Sequence, residues 1–137
     1  MDDIEAIKQL KARYFRTMDT KDWDAMRLVF SDDVVMDTTD SGGAVVTGAD
    51  NCMVFLKRAL ADVITVHHGH TPEIELSSAT TAAGIWAMED MLRWSDGKEL
   101  HGYGHYHESY EKIDGSWYIK ALKLSRLRVD FSESSSA

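Results

Sequence analysis

The chain has 137 residues, which suit one domain with a hydrophobic core, and a formal net charge of −8. That charge argues against nucleic acid or an anionic membrane surface as a partner, because both present phosphates that require basic side chains. The single cysteine excludes an internal disulfide, and the first residues lack a signal-peptide pattern, so we expect a cytoplasmic protein that acts on a small molecule.

The first segment predicts a helix that is capped at its start. Asp2 and Glu5 resemble a capping box, in which the aspartate accepts from the first free backbone amides. Apolar residues then recur at spacings of three and four and mark one inward face: Ile4, Ile7, Leu10, Tyr14 and Met18. Asp19 stands about 140° from Tyr14 on an ideal helix, so the two share a cavity only if the helix loosens near its end.

Two more helices and two short strands follow. A helix capped by Thr20 or Asp22 is expected to run to Phe30. Residues 34–37 and 44–46 read as short strands around a turn at 39–43. Gly48 then introduces a third helix, and four of its residues are expected to face inward: Met53, Phe55, Leu56 and Leu60.

From residue 63 onward the sequence is mostly β. Residues 74–76, 81–94, 100–113 and 117–129 read as strands, and Asp114-Gly115 is a strong hairpin signal. Three helices with long antiparallel strands indicate an α+β fold. We expect residues 1–131 to form one domain whose sheet curls around the helices and leaves an internal pocket. The serine-rich tail, 132–137, is expected to fray.

A histidine cluster begins the β-rich half, in the run Thr-Val-His-His-Gly-His-Thr-Pro-Glu-Ile-Glu-Leu at 65–76. Imidazole has the unperturbed pKa closest to neutrality, so it readily serves as an acid or a base. We therefore take His67 as a candidate for proton chemistry in a pocket. The alternative interpretation is that the cluster is polar sequence at the edge of a strand.

Two charged residues fall among apolar neighbours on predicted strands. Asp90 shares a side with Trp86 and Met88, where a carboxylate is costly unless it is paired or protonated. It is therefore either a functional group or one half of a salt bridge to a lysine or an arginine. Arg126 alternates with Leu124 and so points either inward or, as an end-strand arginine, into solvent.

The other histidines are weaker candidates. His70 follows His67 by three, and His105 and His107 form a second pair; with Glu73, Glu89 or Glu108 they could compose a metal site. Since no cysteine ligand supports such a site, we predict no metal. His105 and His107 share a strand face and are expected, with Trp86 and Met88, to line the pocket. Neither a glycine-rich phosphate loop nor a Gly-x-Ser-x-Gly elbow occurs, which disfavours nucleotide cofactors and acyl-enzyme chemistry.

Four segments resemble the SnoaL-like branch of the NTF2-like superfamily: residues 4–16 with Asp19 and Trp23, 67–74, 84–90 and 110–118. Within that branch the chain is most similar to bacterial bile-acid 7α-dehydratases, over about residues 3–128. The His-His-Gly-His-Thr-Pro-Glu-Ile block and the Glu-Asp pair that ends a long strand are its more specific parts. The resemblance implies a cone of three helices capped by a strongly bent sheet, a homodimer or homotrimer, and no cofactor.

The resemblance also implies a set of catalytic residues. The functional tyrosine, aspartate, histidine, second aspartate and arginine of those dehydratases match residues of the same type here: Tyr14, Asp19, His67, Asp90 and Arg126. A similar aspartate–histidine pair does base chemistry in related dehydrochlorinases. Residues 98–107 are shorter than in the bile-acid enzymes, and the chain stops sooner after Arg128, so the substrate does not carry over with the fold.

These observations predict a cofactor-independent lyase that removes water from a hydroxylated, carbonyl-bearing molecule of steroid-like, polycyclic or aromatic type. His67 would take a proton while Asp19 orients it, and Tyr14 would donate to the leaving hydroxyl or the enolate oxygen. Asp90 would be a second acid or base, and Arg126 would anchor an anionic group. The alternatives are ketosteroid-like isomerisation, polyketide cyclisation, and a non-catalytic binding or oxygenase-partner module, since one fold hosts many functions.

Overall fold

The structure, a computed structural model, describes residues 1–133 as three helices and six strands. The helices are α1 (Asp3–Asp19), α2 (Trp23–Arg27) and α3 (Ala49–Leu60). The strands are β1 (Phe30–Asp37), β2 (Val45–Thr47), β3 (Ile64–Leu76), β4 (Thr81–Arg93), β5 (Glu99–Ile113) and β6 (Ser116–Ser132). A single 3₁₀ turn, Thr39–Ser41, joins β1 to β2 and is called the 39–41 turn below. None of the helices in the described residues is long and apolar enough to cross a membrane.

The six strands form one curved, mixed sheet in the order β2-β1-β6-β5-β4-β3. Neighbouring strands are antiparallel except for β1 and β6, which run parallel. The three helices pack on one face of this sheet, so the predicted α+β architecture, with three helices on a mainly antiparallel curved sheet, is confirmed. Strand β3 is an edge strand, because among the described residues only β4 pairs with it.

Helix α1 begins and packs as its sequence predicts. The Asp2 carboxylate accepts from the backbone N–H of Glu5 at 2.7 Å, which satisfies one of the free amides of the first turn. Ile7, Leu10, Tyr14 and Met18 are all buried against the sheet. Ile4 belongs to the same periodic series but lies in the first turn, beyond the main core, and stays 38% exposed.

Strand β1 begins earlier than expected, and α2 ends earlier. The predicted second helix runs to Phe30, whereas α2 stops at Arg27 and Phe30 already pairs with Ile119 of β6. The backbone N–H of Ile119 also donates to the Val29 carbonyl at 2.9 Å. Pairing with a strand that is distant in sequence therefore overrides the local helical pattern, as tertiary contacts often do for short segments.

Strand β3 also begins early, at Ile64, so that the histidine cluster lies inside the strand instead of ahead of it. The pairing with β4 slips between His70 and Glu73, and Thr71 at this position has φ 42°. Pro72 is tolerated there because it has no N–H to give to the ladder. This bulge lets His67 and Ile74 both face inward although they are an odd number of residues apart.

A second bulge places Arg126 and Arg128 on opposite faces of the sheet. Tyr103 pairs with Arg128 but Gly104 pairs with Arg126, which leaves Leu127 unpaired between them. Because an extra residue reverses the alternation, Arg126 faces inward and Arg128 faces outward, where it contacts Asp130. Strand β6 continues to Ser132, so the expected frayed tail does not begin there, and residues 134–137 of that tail lie outside the described residues.

Candidate active site

A cavity of about 390 Å³ lies between α1, α3 and the inner face of the sheet. Most of its wall is apolar, including Met18, Met36, Leu56, Leu60, Leu92 and Leu124. The exposed residues Gly42, Gly43 and Ala59 line one end and mark its mouth. Besides Thr38 and Ser41, four larger polar side chains line the cavity, from three strands of the sheet and from α1: Tyr14, His67, Asp90 and Tyr106. An apolar hollow with a few converging polar groups is the usual form of a small-molecule site.

His67 is held from behind by the carboxylate of Asp19. Its ring Nδ1 lies 2.7 Å from Asp19 Oδ1, and its backbone N–H donates to Asp19 Oδ2, also at 2.7 Å. The imidazole is only 8% exposed and stacks on the ring of Phe15 at a centroid distance of 6.3 Å. These contacts fix both the position of the ring and its plane.

The same contacts select the tautomer of His67. A carboxylate can only accept, so in the neutral imidazole the proton sits on Nδ1 and the lone pair on Nε2. Nε2 points to the cavity side of the ring, where Asp90 Oδ2 lies 3.9 Å away. His67 therefore offers a base to the cavity while its other nitrogen is anchored.

Asp19 occupies the last position of α1 and does not line the cavity. Besides the two contacts to His67, its Oδ1 accepts from Thr65 Oγ at 2.8 Å, and Thr65 in turn accepts from Lys21 Nζ at 2.9 Å. The helix stays regular through Asp19, so the loosening that would let Tyr14 and Asp19 share a cavity does not occur. Tyr14 enters the cavity and Asp19 supports His67 from outside it.

Asp90 forms a bidentate ion pair with Arg126. The two distances are 2.7 Å from Nη1 to Oδ1 and 2.8 Å from Nη2 to Oδ2. The side chains are 3% and 10% exposed, so both charges are largely removed from water. Of the two interpretations of Asp90, the geometry therefore matches the salt bridge to an arginine. The guanidinium that was expected to anchor a ligand instead neutralises this carboxylate.

Arg126 also holds the 39–41 turn against the sheet. Its Nε donates to Ser41 Oγ at 2.7 Å, and its backbone N–H donates to Asp40 Oδ2 at 2.6 Å. Because Ser41 lines the mouth of the cavity, one arginine links that mouth to the Asp90 carboxylate in the wall. Gly102 on β5 makes room for the pair, since a Cβ at this position would overlap both Arg126 Nη1 and Asp90 Oδ1.

Tyr14 and Tyr106 bring two phenols to the cavity. Their rings meet edge to face at a centroid distance of 5.8 Å. Burial, with the nearby carboxylates adding to it, raises the pKa of Tyr14 above its usual value, and burial likewise raises the pKa of Tyr106. Both groups therefore stay protonated near neutral pH, as hydroxyls that can donate to an oxygen in the cavity.

A buried ion pair lies next to these phenols. Lys11 Nζ contacts Glu108 Oε2 at 2.6 Å, and both side chains are fully buried. The ammonium also lies 3.8 Å from the centroid of Tyr14 and 3.6 Å from that of Tyr106, which is cation–π distance. Tyr110 donates to the other Glu108 oxygen at 2.7 Å, so the carboxylate is satisfied on both sides.

The sequence missed these supporting residues for an identifiable reason. Lys11 falls next to the apolar stripe of α1 and looks like a solvated helical lysine, and Glu108 was considered only as a metal ligand. Thr65, Asp40 and Ser41 carry no motif at all. The one usable signal was alternation on β5, because Glu108 shares a face with Tyr106 and Tyr110.

The expected pocket lining is corrected at four positions. His105 and His107 lie on the outer face of β5, opposite the cavity, because the inward positions of that strand are Gly104, Tyr106 and Glu108. Trp86 and Met88 are buried on the inner face but do not line the cavity. The Trp86 indole instead donates to Tyr110 at 3.0 Å, and Met88 Sδ lies 3.7 Å from Arg126 Nη1.

The fold and this site define a class of protein: a small α+β chain whose helices and curved sheet enclose a mostly apolar cavity with a histidine–aspartate pair in its wall. The sequence profile of the SnoaL-like domain matches residues 1–123. The chain therefore belongs to the SnoaL-like family, within the NTF2-like superfamily.

Three relatives illustrate what the chain is similar to. It is 23% identical over 133 residues to the probable cyclase FGR4 of Gibberella zeae, a match that covers 88% of this chain and 89% of that protein. A candidate scytalone dehydratase from Novosphingobium aromaticivorans superposes with a TM-score of 0.86 at 20% identity, over 98% of this chain and 90% of that one. A hexachlorocyclohexane dehydrochlorinase, LinA type 2, gives 0.83 at 19% identity, over 97% and 89%. At these identities the two structures establish the fold alone.

Proposed function

We propose that this protein is a lyase that eliminates water from a hydroxylated, carbonyl-bearing ring compound by acid–base chemistry, without a cofactor. The observation that carries the proposal is the asymmetry of His67: Nδ1 is anchored on Asp19 at 2.7 Å, and the ring lines the cavity. A carboxylate that orients an imidazole and stabilises its charged form is a recurring arrangement in general-base catalysis.

The first step is removal of the proton next to the substrate carbonyl. The C–H bond breaks, Nε2 of His67 takes the proton, and the electron pair moves onto the carbonyl oxygen as an enolate. The imidazolium that forms is flanked by two carboxylates, Asp19 on Nδ1 and Asp90 at 3.9 Å from Nε2. The Asp19 carboxylate stabilises the new charge directly, because opposite charges within about 4–6 Å attract each other, whereas the charge of Asp90 is offset by Arg126.

The second step is loss of the hydroxyl group from the neighbouring carbon. The C–O bond breaks as the enolate collapses to a conjugated carbonyl, and the leaving oxygen takes a proton to depart as water. Tyr14 and Tyr106 bring two phenol hydroxyls to the same cavity. We assign the donor role to Tyr14 and the stabilisation of the enolate oxygen to the adjacent Tyr106, which the sequence did not single out. The proton on His67 then restores the donor through the released water.

Asp90 and Arg126 have supporting roles in this proposal. Each is engaged by the other through two hydrogen bonds, so neither is a free acid, base or anion anchor. They set the electrostatic environment of Nε2 and hold the mouth of the cavity. These roles differ from the ones that the resemblance to bile-acid dehydratases implies for the two residues. The particular similarity to those enzymes is itself a proposal.

The size and lining of the cavity favour a compact substrate. At about 390 Å³ it is near the lower end of the range of roughly 300–1,000 Å³ that is typical of ligand sites. We therefore favour a molecule of one to three rings over a full steroid. The names of two structural neighbours, a candidate scytalone dehydratase and a hexachlorocyclohexane dehydrochlorinase, support elimination as the reaction class.

The test is to incubate the protein with a panel of cyclic β-hydroxy ketones of one to four rings and to follow the absorbance of the conjugated product. We expect turnover of the smaller members, and a loss of roughly 10²–10⁴-fold in His67→Ala, the range that general acid–base help supplies. Asp19→Asn, which keeps the shape of the side chain but removes its charge, should lose turnover while the protein still binds the ketone.

The matched control is His105→Ala, which removes a histidine from the outer face of the sheet. It should keep full turnover because His105 does not line the cavity. Absence of turnover across the whole panel, or wild-type turnover in His67→Ala, would reject the proposal.

Cyclisation by an aldol step is the second candidate, and the similarity to a probable cyclase favours it. It would use the same proton abstraction by His67 and differ in the next step. The enolate would attack a second carbonyl group of the substrate instead of expelling the hydroxyl group. Mass spectrometry of the product separates the two, since elimination loses a water and adds no carbon–carbon bond. An intramolecular aldol addition by itself leaves the mass unchanged.

A further inference from the structure

The outer face of the sheet carries a second cluster of histidines, which the proposed catalytic site does not use. On β3, His68 and His70 are exposed and point away from the cavity, as alternate residues of one strand must. Glu89 of β4 pairs directly with His68 and lies on the same outer face. One donor atom from each of the three lies within 4.8 Å of the donor atoms of the other two.

The carboxylate in this cluster is oriented by a third histidine. His101 Nε2, from β5, lies 2.9 Å from Glu89 Oε2. Both side chains are partly shielded, each 37% exposed. A ligating carboxylate that is itself hydrogen-bonded is a regular feature of metal sites, because the outer contact fixes the direction of the ligand.

In contrast to the sequence-based prediction of no metal, we propose that His68, His70 and Glu89 form a binding site for a divalent transition-metal ion of the zinc type, with His101 as a positioning residue for Glu89. Two imidazoles and a carboxylate are a common zinc ligand set, and they leave a fourth position for water. Ligands about 2.1 Å from one ion lie roughly 3.4 Å apart in tetrahedral geometry. Small rotations of exposed side chains bring the three donors into that range.

A second pair of histidines on the same face lacks the carboxylate that a cation site needs. His105 and His107 are also two residues apart on the outer face, with their rings 6.3 Å apart. Their neighbours across the ladder are Ala87 and Ile85 on β4, and Ser125 and Lys123 on β6. No carboxylate lies opposite them, and Lys123 adds positive charge, so this second pair is not suited to a cation.

The ion would link the two strands at the edge of the sheet, on the face opposite the candidate active site. His68 follows His67 in β3, and Glu89 precedes Asp90 in β4; in the register His67 pairs with Asp90 just as His68 pairs with Glu89. A metal bound on the outer face thus fixes the two strands that present the inner pair. It is also a cross-link for β3, which has a neighbouring strand on only one side within residues 1–133.

The experiment is titration of the tag-free protein with Zn²⁺ by calorimetry, together with thermal denaturation and the visible spectrum of Co²⁺. We expect one Zn²⁺ per chain, a rise in Tm that saturates with that stoichiometry, and a Co²⁺ spectrum typical of low coordination number. His68→Ala, His70→Ala and Glu89→Gln should each abolish these effects. All three side chains lie at the surface or partly so, and their replacement leaves the buried core unchanged.

The matched control is the double variant His105→Ala/His107→Ala, which removes two histidines from the same face and should bind Zn²⁺ like the wild type. His101→Ala should weaken binding roughly 10–100-fold, as loss of a supporting contact does. His101→Gln, which can still donate to Glu89, should recover part of that loss, and a general effect on folding would not.

Three results would overturn the proposal. One is Zn²⁺ binding that persists in His70→Ala and Glu89→Gln, and another is binding that is lost in the double control. The third is half an ion per chain with a change in the mass of the particle in solution, since that would place the metal between chains and not across β3 and β4.

Discussion

At the scale of single residues, the side chains of the candidate site are held in place by buried hydrogen-bond and ion-pair partners. His67 has one nitrogen anchored on Asp19, and Asp90 has both oxygens on Arg126. Removing one member of a buried ion pair leaves the other as an uncompensated charge, which is costlier than removing both. This difference is measurable.

For the Asp90–Arg126 pair, we expect Arg126→Met to lower the free energy of unfolding by about 3–5 kcal/mol, because the Asp90 carboxylate then stays buried without a partner. The double variant Arg126→Met/Asp90→Leu should recover most of that loss. Urea denaturation at pH 7 measures all three proteins. Equal losses in the single and double variants would mean that Asp90 is solvated when its partner is removed.

Gly102 gives a second prediction at the same scale. A methyl group here would overlap Arg126 Nη1 and Asp90 Oδ1, so Gly102→Ala should force the ion pair apart and cost about 1–3 kcal/mol, the usual range for overpacking. In the background Arg126→Met/Asp90→Leu the guanidinium and the carboxylate are absent, and the cost of the alanine should shrink. A cost that is the same in both backgrounds would point to the backbone of β5 and not to the pair.

At the scale of secondary-structure elements, the sequence predicted what depends on local periodicity. The face of α1 from Ile7 to Met18 and the alternation of β4 that buries Asp90 both follow from spacing, and both are present. The start of β3 and the early end of α2 did not follow, because pairing with a distant strand decides them. The inward face of Arg126 follows from alternation with Leu124, but the outward face of Arg128 depends on the bulge at Leu127, which no local pattern records.

The contact between the end of α1 and β3 can be tested as an element. The Asp19 carboxylate accepts from the Thr65 hydroxyl, the His67 backbone N–H and the His67 ring. An asparagine offers only one acceptor oxygen, so Asp19→Asn must lose part of this set. With roughly 1.5–3 kcal/mol for a hydrogen bond to a charged group, amide exchange at residues 65–67 should become about 10–100 times faster.

Asp22→Asn is the matched control for that variant. Asp22 caps α2 by accepting from the Ala25 backbone N–H, and asparagine caps a helix as well as aspartate does. Exchange across β3 should therefore stay at the wild-type rate in Asp22→Asn. Hydrogen exchange read out by mass spectrometry or NMR distinguishes the two, and unchanged rates in Asp19→Asn would mean that α1 does not hold the edge strand.

At the scale of the whole molecule, one ion pair joins the first helix to the centre of the sheet. Lys11 of α1 and Glu108 of β5 are both fully buried at 2.6 Å, between the tyrosines of the cavity and Tyr110. Burial lowers the pKa of Lys11 to about 8, although the Glu108 charge opposes the shift. The usual lysine value near 10.4 applies to the unfolded chain.

The sign of the resulting pH dependence follows from proton counting. Below about pH 8 the lysine is protonated in both states and contributes no slope. Between about pH 8 and pH 10 the unfolded chain binds more protons at this residue than the native chain, so the contribution of Lys11 to the free energy of unfolding rises with pH. At roughly 1.4 kcal/mol for each pKa unit, the whole effect amounts to a few kcal/mol.

The measurement compares the wild type with the double variant Lys11→Met/Glu108→Gln, which removes both charges and leaves Tyr110 an acceptor. Burial raises the pKa of Cys52, which lowers stability across the same pH range, but it does so in both proteins and cancels in the difference. We expect the unfolding free energy of the wild type to increase relative to that of the variant from pH 8 to pH 10. Parallel curves would mean that water reaches Lys11 and that the helix and sheet are not joined by a buried charge.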